Sequence, residues 1–316
     1  MTKPSIPIET PPAVMTLAGS DPSGGAGIQA DILTLASLGC HPLSVITALT
    51  IQDSANVHDI MVIDADWVND QARLLLEDMP VSAFKVGLIG SVENVAVIAQ
   101  LAADYPDIPL ILDPVLASGS GDDFADEDLI SAMREMLLPL VTIITPNSIE
   151  AQRLACNDPD EEDNLTMDQC AQRLLALGAG HVLITGTHEN TREVINTLYA
   201  PDGTARAQHW DRLSGSYHGS GCTLASALAG LIACGTPLMQ AVDEAQEYTY
   251  ETLLHVKPSL FEIHQHTPQR YDDNLRLSHI YLTFTASLGV LPSYIGFKTT
   301  MVGETYPSNL IRLTPA

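Results

Sequence analysis

Aromatic side chains are scarce in this chain, at 5% of its residues, and basic ones are few: 14 Lys and Arg stand against 39 Asp and Glu. The first shortage means that a core has to be built from aliphatic residues and alanine, which a 46% hydrophobic content allows. The second gives a formal net charge of −25, a surface that repels nucleic acid and anionic membranes and excludes both as partners. Any phosphate site on such a protein has to be local and well aimed. Cysteine is limited to five residues, an odd number, with no C-x-x-C spacing, which argues against a disulfide framework or a zinc site and for a reducing compartment. No apolar run approaches the length of a membrane span, and Met1–Pro12 carries prolines and charges rather than the apolar stretch of a secretory leader. The expectation is a cytoplasmic protein.

What the chain does have is glycine placed before helices. His218-Gly219-Ser220-Gly221-Cys222-Thr223 is a turn that hands directly to a helix rich in small apolar residues. A helix start leaves several backbone N–H groups without partners, and with the positive end of the dipole these form an anion site. Gly219 and Gly221 are expected to let the backbone adopt unusual angles and approach a ligand closely. Cys222 sits at the helix start, where a thiol pKa is expected to fall. A plain helix start with a buried cysteine explains the same residues equally well.

Earlier in the chain, Ala13–Ser20 reads as a buried strand running into Asp21-Pro22-Ser23-Gly24-Gly25-Ala26-Gly27 and then a helix over 28–38. This spacing is neither the dinucleotide fingerprint nor a P-loop. A second strand, Leu43–Thr50, delivers Gln52 and Asp53 at its C-terminal end, where open α/β sheets bind ligands. Further strands are expected at 83–89, 110–112, 142–145, 181–185, 191–199 and 205–210. Helices are expected at 66–78, 92–105, 126–138, 166–177 and 238–254. Asp113, at a strand end before Pro114, suits either a metal or substrate contact or a simple turn. Asn147 and Glu150 fit a capping box, or a hydrated Mg²⁺. The regular alternation of strand and helix up to about residue 185 predicts one α/β domain with a mainly parallel sheet covered on both faces.

Three segments are read from this pattern: an N-terminal arm at 1–12, the domain at 13–258, and a C-terminal extension at 259–316. The tail from 275 departs in charge, with Arg276, Lys298 and Arg312 against a single acidic residue, Glu304.

Taken together, Ala18–Asp31, Ile46-Thr47-Ala48-Leu49-Thr50 with Gln52, Lys85-Val86-Gly87, Asp113-Pro114-Val115, Thr145-Pro146-Asn147 with Glu150, and Gly219-Ser220-Gly221-Cys222-Thr223 resemble the motifs of the hydroxymethylpyrimidine and phosphomethylpyrimidine kinases of thiamine biosynthesis. They occur in that family's order over about 13–255. The resemblance implies a ribokinase-like α/β/α fold with a central, mostly parallel sheet, usually as a homodimer. It also implies an ATP- and Mg²⁺-dependent phosphorylation of the hydroxymethylpyrimidine, of its monophosphate, or of both.

By the same resemblance Gly19, Asp21, Gln52 and Leu88 would line the pyrimidine pocket, and Cys222 would activate the acceptor oxygen. Gly219, Ser220 and Gly221, with Asn147 and Thr185, would face the transferred phosphoryl group and the ATP phosphates. Asp113 and Glu150 would lie near Mg²⁺, acting through water. Two positions depart from many relatives, which carry Lys where this chain has Gly119 and Thr185. A pyridoxal-type kinase and a degenerate, non-catalytic pyrimidine-binding protein are the alternatives.

Overall fold

Each interior strand alternates its side chains between two apolar faces, so both faces of the sheet have to be covered. In β1 (Ala13–Ser20), Ala13, Met15 and Leu17 join one core cluster and Val14 the other; in β5 (Leu110–Leu112), Leu110 and Leu112 face one side and Ile111 the other. The computed structural model describes residues 10–53, 56–117, 124–156, 165–189, 191–215 and 217–255. Residues 1–9 of the arm, the Gly119 loop, the acidic patch Asp158–Asp163 and the extension 259–316 lie outside the described residues.

The remaining strands are β2 (His41–Gln52), β3 (Val57–Val62), β4 (Val81–Val86), β6 (Ile143–Ile144), β7 (Val182–Ile184), β8 (Glu193–Tyr199) and β9 (Ala205–Asp211). They form a nine-stranded sheet in the order β3-β2-β1-β4-β5-β6-β7-β8-β9. Strands from β2 to β7 in that order run parallel, while β3 and the β8–β9 hairpin are antiparallel additions at the two edges. The helices are α1 (Gly27–Ser37), α2 (Ala65–Asp78), α3 (Val92–Asp104), α4 (Glu127–Ala132), α5 (Ser148–Ala155), α6 (Met167–Ala176), α7 (Ser220–Ala233) and α8 (Leu238–His255). Residues of α2 to α6 pack on one face of the sheet; those of α1, α7 and α8 pack on the other. This is the expected α/β/α arrangement.

The differences from the sequence reading are local. β3 is an addition to it; its exposed, mixed sequence lacks a clean alternation, and pairing with β2 is what holds it extended. Because of that pairing Gln52 lies within β2, opposite Val57, rather than in a loop beyond the strand. The strand expected at 83–89 ends at Val86, which puts Leu88 in the following loop. The helix expected over 126–138 ends at Ala132, continues as a π turn over Met133–Leu137 and closes as a 3-10 turn at Leu138–Leu140, where Pro139 stops it.

The chain moves outward from β1 in both directions, to β2 and then to β4. The strand order thus reverses between β1 and β4, and the crevice beyond their C-terminal ends is where open α/β sheets bind ligands.

Candidate active site

A cavity of about 940 Å³ opens at that crevice, lined among others by Gly19, Asp21, Gln52, Leu88, Asp113, Asn147, Glu150, Thr185 and Gly219–Cys222. All the site residues read from the sequence therefore meet in one place.

The anion turn is held from behind. Gly219 caps α7 at φ 82, in the left-handed region, and a Cβ there would collide with the carbonyl oxygen of Gly25. The turn is thus packed on the Ser23–Gly27 loop with no room for a side chain. The helical ladder begins with Thr223 N–H on Gly219 O at 2.9 Å, so the N–H groups of Ser220, Gly221 and Cys222 precede it. Gly221 differs from expectation. It has no positive φ, and a Cβ would meet only Asp113 Oδ1 at 3.6 Å, so its small size keeps the space in front of the helix open rather than permitting an unusual angle.

Asp21 also has a more specific job than lining the pocket. Its carboxylate accepts hydrogen bonds from Ser23 N (2.8 Å), Ser23 Oγ (3.0 Å), Gly25 N (3.1 Å) and Ala26 N (2.7 Å), and lies 3.1 Å from His218 Nε2. Burial alone would raise its pKa. The contacts with His218, Ser23 and the backbone outweigh burial and hold it at about 2. Asp21 thereby ties the first glycine loop to the residue that opens the anion turn. Gly19 serves Leu88, since a Cβ at Gly19 would sit 2.8 Å from Leu88 Cδ2. Gln52 is half-buried at the same rim.

Behind Cys222 lies a buried polar cluster that the sequence reading does not assign. Lys85, on β4 and fully buried, sits 2.9 Å from Asp31 Oδ1 and 3.6 Å from Asp113 Oδ2. Asp31, on α1, accepts hydrogen bonds from Thr16 Oγ1 (2.5 Å), Ser226 Oγ (2.7 Å) and Lys85 Nζ (3.1 Å). One lysine between two carboxylates leaves this interior with excess negative charge. Burial disfavours the charged form of Lys85, but the two carboxylates more than offset it and keep the ammonium charged.

Cys222 feels the same surroundings, and here the sequence expectation fails. Burial pushes its thiol well above the ordinary range, Asp113 and Asp31 push it further, and neither Lys85 nor the Gly27 backbone compensates. The helix start by itself does not make a thiolate.

Asn147 and Glu150 realise the capping box: Glu150 N–H donates to Asn147 Oδ1 and Asn147 N–H to Glu150 Oε2, both at 2.9 Å. Glu150 is nonetheless part of the site's charge balance. Burial, reinforced by Asp113, raises its pKa to about 8. Asp113 is itself raised by burial, and its Oδ2 is a buried oxygen without a hydrogen bond in the described structure. Among the described residues no group of three His, Cys, Asp or Glu side chains is gathered round a metal position. Two crowded, under-neutralised carboxylates suit a cation that keeps most of its waters, and the residues present fit Mg²⁺.

Thr185 follows β7 and bridges to Asn147, its N–H on Pro146 O at 2.9 Å, and it lines the cavity. Nearby, Arg212 gathers the following loop. It donates to the carbonyls of Glu189 (2.7 Å), Thr191 (2.8 Å) and Thr187 (2.9 Å). Asn196, Trp210, Gln246 and Tyr250 form the far wall, with Gln246 Oε1 accepting from Asn196 Nδ2 (3.0 Å) and Trp210 Nε1 (3.3 Å). Sequence reasoning misses this wall, because its members come from β8, β9 and α8 and share no local pattern.

A family model described as phosphomethylpyrimidine kinase matches residues 21–267. The chain belongs to the phosphomethylpyrimidine kinase family. It is 40% identical over 252 residues to the hydroxymethylpyrimidine/phosphomethylpyrimidine kinase of Streptomyces coelicolor, covering 78% of this chain and 90% of that one. It is 39% identical over 239 residues to the thiamine biosynthesis bifunctional protein ThiED of Geobacter sulfurreducens, covering 75% of this chain; the chain spans 48% of that longer relative. Among solved structures, an ADP complex of Bacillus subtilis pyridoxal kinase superposes with a TM-score of 0.66 at 30% identity, covering 76% of this chain and 90% of that one. The ribokinase-like fold expected from the motifs is the one observed, and the phosphomethylpyrimidine kinase motifs line its cavity.

Proposed function

We propose that this protein is a kinase that transfers the terminal phosphoryl group of ATP to 4-amino-5-hydroxymethyl-2-methylpyrimidine, to its monophosphate, or to both, in keeping with its relatives named for thiamine biosynthesis. The observation that carries this reading is one cavity lined both by Gly19, Gln52 and Leu88 and by the Ser220–Cys222 turn. The first group presents an apolar slot with one amide able to pair with a ring nitrogen or amino group. The second presents backbone donors for an anion.

Phosphoryl transfer asks a protein for positioning and charge stabilisation more than for covalent chemistry. Gln52 and Leu88 orient the ring so that its hydroxymethyl group faces Cys222. The N–H groups of Ser220, Gly221 and Cys222 stabilise charge on the phosphoryl oxygens as it passes. The Cys222 thiol first releases its own proton to solvent, as positive charge in the cavity offsets Asp113 and Asp31, and the thiolate then takes up the proton of the acceptor oxygen. Asp113 and Glu150 would hold Mg²⁺ through water. When bound, Mg²⁺ supplies neutralisation of the phosphates. Asn147 and Thr185 line the phosphate side.

The domain is proposed to span 13–258, with 1–12 as an arm and 259–316 as an extension outside the catalytic unit. The protein is proposed to work as a cytoplasmic homodimer. Ile51, Met61 and Trp67 are exposed apolar side chains on β2, β3 and α2, suited to contact with a second copy, which light scattering checks. Among the described residues no helix is long and apolar enough to cross a membrane.

A pyridoxal-type kinase is the second reading, favoured by the likeness to the Bacillus subtilis enzyme. ATP consumption measured in parallel with hydroxymethylpyrimidine, its monophosphate and pyridoxal separates the two. The pyrimidines are expected to be turned over and pyridoxal much less. Preference for pyridoxal would overturn the proposal, and binding without turnover of any of the three would leave a non-catalytic pyrimidine-binding protein.

A further inference from the structure

At the end of the sheet opposite the cavity, two cysteines meet. Cys40 closes the turn after α1, its N–H on Leu35 O at 3.0 Å, one residue before β2 begins. Cys234 caps the C-terminus of α7, its N–H on Gly230 O at 3.0 Å. Their sulfur atoms lie 3.8 Å apart although the residues are 194 positions apart in sequence. Gly230 permits the approach: a Cβ there would stand 3.2 Å from Leu38, 3.3 Å from Leu35 and 3.5 Å from Cys40 Sγ. Cys40 is buried and Cys234 exposed. Bonded sulfurs stand about 2 Å apart. A further approach of just under 2 Å closes the gap, within reach of a side-chain rotation at the exposed helix end. Cys156 and Cys170 are both buried and present no such exposed partner.

We propose that Cys40 and Cys234 are a reversible dithiol–disulfide pair, a modification site away from the phosphoryl-transfer cavity, oxidised by small-molecule disulfides such as oxidised glutathione. The exposed Cys234 thiolate attacks one sulfur of the small disulfide. That S–S bond breaks, one small thiolate leaves, and Cys234 carries a mixed disulfide. Cys40 then gives up its proton and attacks Cys234 Sγ, displacing the second small thiolate. The two cysteines lose two electrons and two protons, and the small disulfide is reduced to two thiols.

The electrostatics favour this order of events. Contact with Cys40 holds Cys234 below the ordinary thiol value, at about 7, while contact with Cys234 and burial keep Cys40 protonated until it reacts. An odd cysteine count without close spacing speaks against a structural framework of disulfides. It does not forbid a single pair that only the fold brings together, and transient disulfides of this kind occur in reducing compartments. The bond would staple the end of α7 to the start of β2, with the rest of α7, residues 223–233, separating it from the anion turn.

The test uses the full chain, oxidised glutathione and peptide mapping by mass spectrometry. The wild type is expected to lose two of its five free thiols, with the Cys40 peptide linked to the Cys234 peptide, and to recover them with dithiothreitol. Cys40→Ser is expected to stop at a stable glutathione adduct on Cys234. A wild-type protein that keeps glutathione on Cys234 with Cys40 free would overturn the proposal. So would an unreacted Cys234 in either protein.

Discussion

Replacing Lys85 by Met keeps all but the terminal atom of the side chain's length and removes its charge. Lys85 is fully buried, with Asp31 Oδ1 at 2.9 Å and Asp113 Oδ2 at 3.6 Å, so the substitution leaves two buried carboxylates without a cation. Breaking a buried ion pair by removing one partner costs about 3–5 kcal/mol. For a domain of this size that corresponds to a fall in melting temperature of roughly 10 °C. The loss should be larger than shape alone explains, because Met fills the space that Lys85 occupied. Asp31→Asn in the Lys85→Met background is therefore expected to restore part of the stability: the amide oxygen still accepts from one of the Thr16 and Ser226 hydroxyls, the amide N–H group donates to the other, and one of the two unpaired charges is gone. Thermal and urea unfolding of the wild type, both single variants and the double variant form a cycle that isolates the coupling. Turnover of the single Lys85→Met variant, measured where it is folded, should also fall, since Asp113 and Cys222 lose the nearest positive charge. A melting temperature within a degree or two of wild type, or losses that simply add in the double variant, would refute the account of Lys85 as the charge that holds this interior together.

Gln52→Ala is expected to weaken pyrimidine binding by about 1–3 kcal/mol with ATP binding unchanged, and equal losses in a calorimetric titration of both ligands would remove it from the pocket. Gly219→Ala should abolish nucleotide binding and destabilise the fold, because its φ is positive and Gly25 O occupies the space of a Cβ, whereas Gly221→Ala should fold normally; matching melting curves for the two would contradict the packing described. Cys222→Ala is expected to lower turnover roughly 10²-fold with both substrates still saturating; a loss of only a few-fold would assign the work to the backbone N–H groups alone. Asp21 has its pKa depressed from the ordinary carboxylate value to about 2, so the stability it contributes is present above about pH 4 and is lost as pH falls toward 2. His218→Ala should move that loss to higher pH in acid-unfolding experiments, and an unchanged acid midpoint would deny the link between the two loops.

Much of this architecture is legible along the chain. Periodicity and turn chemistry act over a few residues, so β1, the glycine loop and α1, the alternation through β7, and the glycine turn before α7 can be read directly, as can Asn147 and Glu150 as a capping box. The motif residues then gather at one end of the sheet because a parallel sheet puts every strand's C-terminus on the same side.

Tertiary structure decided what depends on neighbours distant in sequence. β3 is extended because β2 pairs with it. Asp21 is strongly acidic because His218, 197 residues away, approaches to 3.1 Å. Local reasoning about Cys222 sees a helix start and expects a thiolate. The fold sets Cys222, half-buried at the cavity wall, near Asp113 and Asp31, and desolvation together with those charges outweighs a helix dipole. Lys85 reads in sequence as part of a strand motif; only the packing of β4 under α1 and α7 makes it the counter-charge of the site. The contact of Cys40 with Cys234 belongs with these, since no spacing rule reaches across 194 residues. Local sequence governs what each segment does with its own backbone, and the fold alone sets the electric field that each side chain meets.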